Sequence, residues 1–337
     1  MIYKELENIF KEEKSKGALN SYIRNLLKEY LQIYVLYFIY TSSDYNNNLI
    51  FTGGTCLRHF FGLERLSEDI DFDYIDNIEV RKFLDELEYF FRVRYKYKEI
   101  QTSIKQSGEQ IVLKFPVLHK LGLADRSESN FLYIKIDLSK IPSSYYSLQT
   151  TAKSMHGFNF AAKHYDLPTL MTGKIHAILT RRNLKGKKNR ESIKGRDYFD
   201  LLWFVKNGIK PNLKRLSDIM GKDMTLKHVE QQLDNKISEM VSKYENDFIS
   251  DLIPLVSNPN IIEPYIKNYH DEYLRYKLKS FSTMVDLKIK CKKCKREFYP
   301  GISIEIENFK EMVLGESRHK CPYCGYINIV NKDDLFL

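Results

Sequence analysis

The pair Gly53-Gly54, followed at short range by Arg65-Leu66-Ser67-Glu68-Asp69-Ile70-Asp71-Phe72-Asp73, constrains this chain more than any other segment. Leu49-Ile50-Phe51 reads as a short strand running into the glycines, Thr55–Phe61 as a helix, and Ile70–Tyr74 as a second strand. Side chains alternate faces along a strand, so Asp69, Asp71 and Asp73 share one face while Ile70, Phe72 and Tyr74 share the other. Carboxylates two residues apart on an open strand face suit hard divalent cations. Glycine lets backbone approach a phosphate closely, and a helix N-terminus just after it offers free amides to an anion. Together these residues point to phosphate chemistry.

The surrounding pattern gives a mixed fold. Apolar residues at helical spacing, Tyr22, Leu26, Leu27, Tyr30, Leu31, Tyr34 and Phe38, predict a helix that ends before Asn46-Asn47-Asn48. Val80–Phe91 reads as an amphipathic helix, and Ile111–Phe115 and Phe131–Leu138 as strands. Beyond Pro168, a residue suited to a helix start, the pattern is helical over Leu170–Arg182, Asp197–Lys206, Lys214–Met220, Leu226–Leu255 and Ile261–Leu278, with no strand signal of similar strength. The expectation is an α+β protein with a small mixed sheet in residues 1–165, a helical domain in 166–280 that contributes to the site, and a small cysteine-bearing domain in 285–337.

With 9 prolines and 15 glycines among 337 residues and 43% apolar content, the chain is a folded one. The N-terminus has no apolar core of a secretory signal, and the run Leu31–Tyr40 is too short to span a bilayer, so a cytoplasmic protein with no membrane association is expected. The formal charge of +9 is compatible with nucleic acid, nucleotide or an acidic partner. Nine lysines and arginines fall between Lys174 and Arg196 against the single Glu191, with Gly186 and Gly195 suggesting a loop. Such a basic loop beside a phosphate site is the footprint of an RNA substrate; the alternatives are that Arg181, Arg182 and Arg196 serve only the triphosphate, or that the loop is merely solvated.

Four of the five cysteines form two C-x-x-C knuckles, Cys291/Cys294 and Cys321/Cys324. This spacing predicts a tetrahedral, structural Zn²⁺ site, and Cys321-Pro322-Tyr323-Cys324-Gly325 with the β-prone segment after it resembles a zinc ribbon. Cys56, in the helix after the glycines, is expected to be buried and inert.

The motif Gly53-Gly54-Thr55, then Leu57, then Arg65-x-Ser67-x-Asp69-Ile70-Asp71-Phe72 resembles the AbiEii/AbiGii toxin family of nucleotidyltransferases, within the DNA polymerase β-like superfamily. The resemblance extends to Lys174-Ile175-His176-Ala177, Arg181-Arg182 and Arg196-Asp197-Tyr198-Phe199-Asp200-Leu201. It implies two-metal transfer of a nucleoside monophosphate from a nucleoside triphosphate, with Asp69 and Asp71 as Mg²⁺ ligands. It also implies nucleotide contacts from Gly53, Gly54, Thr55, Arg65, Ser67, Lys174, Arg181 and Arg196, and an essential carboxylate at Asp197. A further acid drawn from a later strand is expected at Asp137; Asp73 and Asp200 are its rivals, Asp73 being the more readily read as an exposed bystander. The resemblance implies an RNA acceptor such as a tRNA 3′ end, a toxin role in a toxin–antitoxin or phage-defence system, and an antitoxin partner. A protein or small-molecule acceptor, or a silent nucleotide-binding module, are the alternatives at this point.

Overall fold

The computed structural model describes residues 2–186, 189–282, 284–305, 309 and 311–336, and divides the chain into two compact units, Met1–Ser280 and Phe281–Leu337. Lys187 and Lys188 of the basic run lie outside the described residues.

The first unit is built on a seven-stranded mixed sheet of order β3-β4-β5-β2-β1-β7-β6. Its strands are β1 (Leu49–Thr52), β2 (Ile70–Tyr74), β3 (Gln101–Lys105), β4 (Gln110–Pro116), β5 (Phe131–Lys140), β6 (Leu148–Met155) and β7 (Phe158–Tyr165). The helices of this half are α1 (Ile2–Ser15), α2 (Asn20–Thr41), α3 (Gly53–Phe61) and α4 (Val80–Tyr89), the last continuing as a π turn over Phe90–Arg94. Helix α2 is buried along most of its length, and the Tyr40 hydroxyl donates to the Lys163 carbonyl of β7 at 2.8 Å. The sheet is larger than the small one expected. Strands β3 and β6 carry mainly polar residues, none of them buried, and so show no apolar alternation for a sequence to reveal.

The pairing of the central strands decides where the acids go. β1 runs antiparallel to β2, placing Thr52 opposite Asp71, while β2 runs parallel to β5, placing Asp71 beside Asp137 and Asp73 beside Ser139. Neighbouring strands lie ~4.8 Å apart, so Asp71 and Asp137 are close on one face. The buried partners in β5 are Leu132, Ile134, Ile136 and Leu138, as the alternation predicts.

The helical half follows: α5 (Leu167–Thr180), α6 (Gly195–Lys206), α7 (Leu213–Met220), α8 (Leu226–Lys243), α9 (Glu245–Leu252), α10 (Ile262–Lys267) and α11 (Tyr269–Phe281). Asp166 caps α5 by accepting from the Thr169 amide at 3.0 Å, with Pro168 in the first turn. Asn212 and Thr225 cap α7 and α8 in the same way. The helical stretch expected over Leu226–Leu255 breaks at Tyr244, and within the basic run β8 (Asn183–Lys185) pairs antiparallel with β9 (Arg190–Ser192). The helical half belongs to the same compact unit as the sheet. The Leu66 amide bonds to the Leu255 carbonyl at 2.8 Å and Asn25 Nδ2 to the Pro254 carbonyl at 2.9 Å. Among the described residues no helix is long and apolar enough to cross a membrane.

The second unit has short strands β10 (Met284–Asp286), β11 (Lys288–Lys290), β12 (Glu297–Phe298), β13 (Ser303–Glu305), β14 (Ser317–Lys320), β15 (Ile327–Val330) and β16 (Leu335–Phe336). Its core is small: Leu287, Ile289, Phe298, Val330 and Leu335 gather around Cys291 and Cys321.

Candidate active site

A cavity of about 630 Å³ opens where the sheet meets α5 and α6. The glycines form one wall. They are the first turn of α3 rather than a turn before it, and Thr52 supplies no side-chain cap, so first-turn amides there lack intrahelical partners. Gly53 has φ +76, and a Cβ on it would sit 2.0 Å from Asp71 Oδ2; one on Gly54 would sit 2.8 Å from Arg65 Nη2 and 3.0 Å from Ser67 Oγ. Backbone and acid are therefore packed as closely as glycine allows. Thr55 turns inward, and its hydroxyl donates to the Asp69 carbonyl instead of lining the cavity.

Asp69, Asp71 and Asp137 all line the cavity. Burial, with the negative charges of Asp137 and Asp69 beside it, pushes the Asp71 carboxyl up to about 7. Asp137 is also raised, first by burial and then by Asp69, although Gln110 Nε2 donates to it at 2.7 Å. Lys135 lies 3.7 Å from Asp69. Two carboxyls held up by burial and by neighbouring negative charge mark a site in deficit of positive charge. Oxygen donors in that state fit a hard divalent cation.

Across the cavity stands a chain of alternating charges. Asp200, fully buried, receives two 2.6 Å hydrogen bonds from Arg65, itself 1% exposed, and an ion pair at 2.8 Å from Lys174. Lys174 also reaches Asp197 at 2.9 Å, and Asp197 accepts from Arg181 at 2.9 Å. Burial works against the Lys174 charge, but Asp197 and Asp200 outweigh it and hold the ammonium above its usual range. The same cations keep the Asp197 carboxyl low in spite of its burial. Three cations against two carboxylates leave this wall net positive. An ammonium has three donors, and with two directed at carboxylates one remains for an anion.

The family resemblance implies nucleotide contacts from Arg65 and Arg196. Arg65 lines the cavity but commits its guanidinium to Asp200 and the Leu66 carbonyl, and Arg196 bonds Glu68 at 2.7 Å while its amide bonds Asp251 at 3.0 Å. Glu68 also lines the cavity and was not foreseen. Burial opposes its charge, but Lys28 and Arg196 win and hold its carboxyl down to about 2. Asp73 departs most from expectation. It is 8% exposed rather than open to water, because Tyr165 covers it and donates to Oδ2 at 2.7 Å while Arg215 Nη2 stands 3.8 Å away. Burial raises its carboxyl, and these two partners oppose the rise. Nothing local in the sequence marks Tyr165 or Arg215, which come from distant elements.

In the second unit the sulfurs of Cys291, Cys294, Cys321 and Cys324 lie within 4.8 Å of one another; among the described residues no other group of three or more Cys, His, Asp or Glu converges as closely. Cys291 and Cys324 approach to 3.6 Å, and Cys294 and Cys321 to 3.7 Å. Zn–S bonds of ~2.3 Å in a tetrahedron give an S···S edge of ~3.8 Å, so the cluster suits Zn²⁺. Cys56 is buried, as expected.

With this geometry in view, residues 36–279 match the family model described as nucleotidyl transferase AbiEii toxin, type IV toxin–antitoxin system. The chain belongs to the AbiEii family. It is therefore a nucleotidyltransferase toxin of a type IV system, a family that implies a nucleotide substrate, a divalent metal and an antitoxin partner. Two solved structures from Helicobacter pylori resemble it: JHP933 (16% identity, TM-score 0.42, covering 76% of this chain and 92% of that one) and a candidate nucleotidyltransferase (16%, 0.42, 75% and 95%). No curated protein matches the sequence.

Proposed function

We propose that the protein transfers a nucleoside monophosphate from a nucleoside triphosphate to an RNA acceptor, such as the 3′ end of a tRNA, in the cytoplasm, and that this arrests translation as a toxin or phage-defence response. The observation that carries the reading is the opposition, across one cavity, of the acids Asp69, Asp71 and Asp137 to the cations Lys174 and Arg181.

The glycine amides at the α3 N-terminus and Ser67 bind the triphosphate. Lys174, held by Asp197 and Asp200, places its charge beside the departing pyrophosphate, where negative charge grows in the transition state. Asp69 and Asp71 would hold Mg²⁺, and the bound cation would supply activation of the attacking oxygen and neutralisation of the leaving group. Asp137 takes the proton of the acceptor hydroxyl; the acceptor oxygen bonds to the α-phosphorus, the α–β bridge breaks, and pyrophosphate leaves. Asp197 acts through Lys174 and Arg181 as a positioning residue. The RNA reading is supported by a second cavity of about 340 Å³ that shares Ala177, Arg181 and Asp197 with the first and is also lined by Arg182, Lys194 and Lys236. In the second unit, the four cysteines would hold a structural Zn²⁺ that adds cross-links to a small apolar core.

The test is incubation with each labelled nucleoside triphosphate, Mg²⁺ and total RNA, beside the Asp69→Ala variant. Label in tRNA-sized RNA with the intact protein alone supports the reading. Label only in protein or small molecules moves the acceptor elsewhere, and binding without transfer defeats the reading.

A further inference from the structure

The cavity continues past the acids. Asp73 lies two residues beyond Asp71 on the same face of β2, ~7 Å along the strand and away from the glycine wall. That is the direction and the order of distance in which a nucleotide extends from its α-phosphate across the ribose to its base. At this end Asp73, Tyr165 and Arg215 all line the cavity, each less than a tenth exposed, with Pro142 and Ile219 as apolar walls. The Tyr165 hydroxyl occupies only Oδ2 of Asp73. Arg215 is fixed by the Ser143 carbonyl at 3.3 Å and lies over the Tyr165 ring at 5.0 Å and the Tyr146 ring at 5.9 Å. Buried polar groups are expensive to leave in a cavity wall unless a partner meets them.

We propose that Asp73 and Arg215 form the nucleobase subsite, the carboxylate accepting from an exocyclic amino group and the guanidinium donating to the neighbouring ring nitrogen or carbonyl, so that the enzyme selects an amino-bearing base against uracil. This rests on the nucleotidyl-transfer reading above. A carboxylate facing O4 of uracil sets two acceptors against each other, whereas N4 of cytosine, N6 of adenine or the N1/N2 edge of guanine supplies a donor. Sites built to hydrogen-bond a substrate group discriminate strongly against analogues that lack it.

The experiment compares kcat/KM for each amino-bearing triphosphate with its oxo counterpart, CTP with UTP, ATP with ITP and GTP with xanthosine triphosphate, in the intact protein and in Asp73→Asn, with RNA in excess. The intact protein favours the amino member of its preferred pair at least about tenfold, the discrimination of one good base contact. In Asp73→Asn the amide can donate to a carbonyl, and the ratio moves at least about tenfold toward the oxo member, with the Tyr165 bond and the urea midpoint retained. Equal loss on both members, or a change confined to the KM for RNA, overturns the proposal, as does a wild type that prefers UTP. Transfer of no nucleotide by the intact protein overturns the nucleotidyl-transfer reading and this subsite with it, so the two failures are distinct.

Discussion

Asp71→Asn is expected to stabilise the protein while abolishing transfer. The Asp71 carboxyl titrates near 3.8 when unfolded and is pushed to about 7 in the fold, by burial and then by Asp137 and Asp69. The folded state therefore binds the extra proton between these values. The associated stability is fully present below pH 3.8 and is lost as pH rises through about 7. At ~1.4 kcal/mol per tenfold change in proton affinity, ionised Asp71 costs at most about 4 kcal/mol above pH 7. The repulsion is shared with Asp137, which also rises, so about half, ~2 kcal/mol, is expected for Asn, which keeps the shape without the charge.

Trp203, the chain's single tryptophan, sits in α6 of the first unit, so urea unfolding followed by its fluorescence reports that unit. Magnesium-free buffer without chelator leaves the cysteine site undisturbed. At pH 8 the Asn variant should exceed the wild type by ~2 kcal/mol; at pH 5 the gap should shrink to about 1 kcal/mol or less, because the wild type is then protonated at Asp71. Added Mg²⁺ should raise the wild-type midpoint at pH 8 and leave the variant unmoved. A variant less stable than wild type at pH 8, or a gap that does not change with pH, refutes the assignment of Asp71 as a repelled, cation-seeking carboxylate.

Gly53→Ala should lose transfer and at least ~1–2 kcal/mol of stability by urea denaturation, because its φ is +76 and its Cβ would overlap Asp71. Metal analysis of purified protein should return one zinc per chain, and Cys291→Ser or Cys321→Ser should lower that figure and expose the second unit to proteolysis. Arg182→Glu with Lys194→Glu should raise the KM for RNA and flatten its salt dependence, while the KM for the nucleotide stays within about twofold.

How much of this was legible beforehand varied with the range of the interaction. The acids Asp69 and Asp71, their apolar partner face and the short strand–helix–strand around them follow from local alternation, and the chain folds them that way. Asp137 was expected as an acid from a later strand, on the face opposite Ile134 and Ile136, but its position beside Asp71 depends on β2 and β5 pairing in parallel. The partners of Asp200 were not readable. The observed partners are Lys174, on another helix, and Arg65, 135 positions away. Asp73 was misread for the same reason: a strand face is exposed or covered according to what packs over it, and Tyr165 and Arg215 arrive from far along the chain.

The Arg65–Asp200 pair raises a question of purpose, since two fully buried charges are often less stable than an apolar pair of the same volume. Here Asp200 also holds Lys174, and the Arg65 guanidinium lies where a Cβ on Gly54 would stand, so one carboxylate fixes a cation of the helical half relative to the glycine turn of the sheet half. On this argument the pair is kept for registry. Either single change, Arg65→Met or Asp200→Leu, should cost about 3–5 kcal/mol because it strands a buried charge. The double variant should recover much of that, although Lys174 remains paired with Asp197. Transfer should nevertheless stay low in the double variant, chiefly through kcat, because Lys174 loses one of its two anchors. A double variant with restored stability and wild-type kcat would show that the buried pair has no part in placing Lys174, and that Asp197 alone is sufficient.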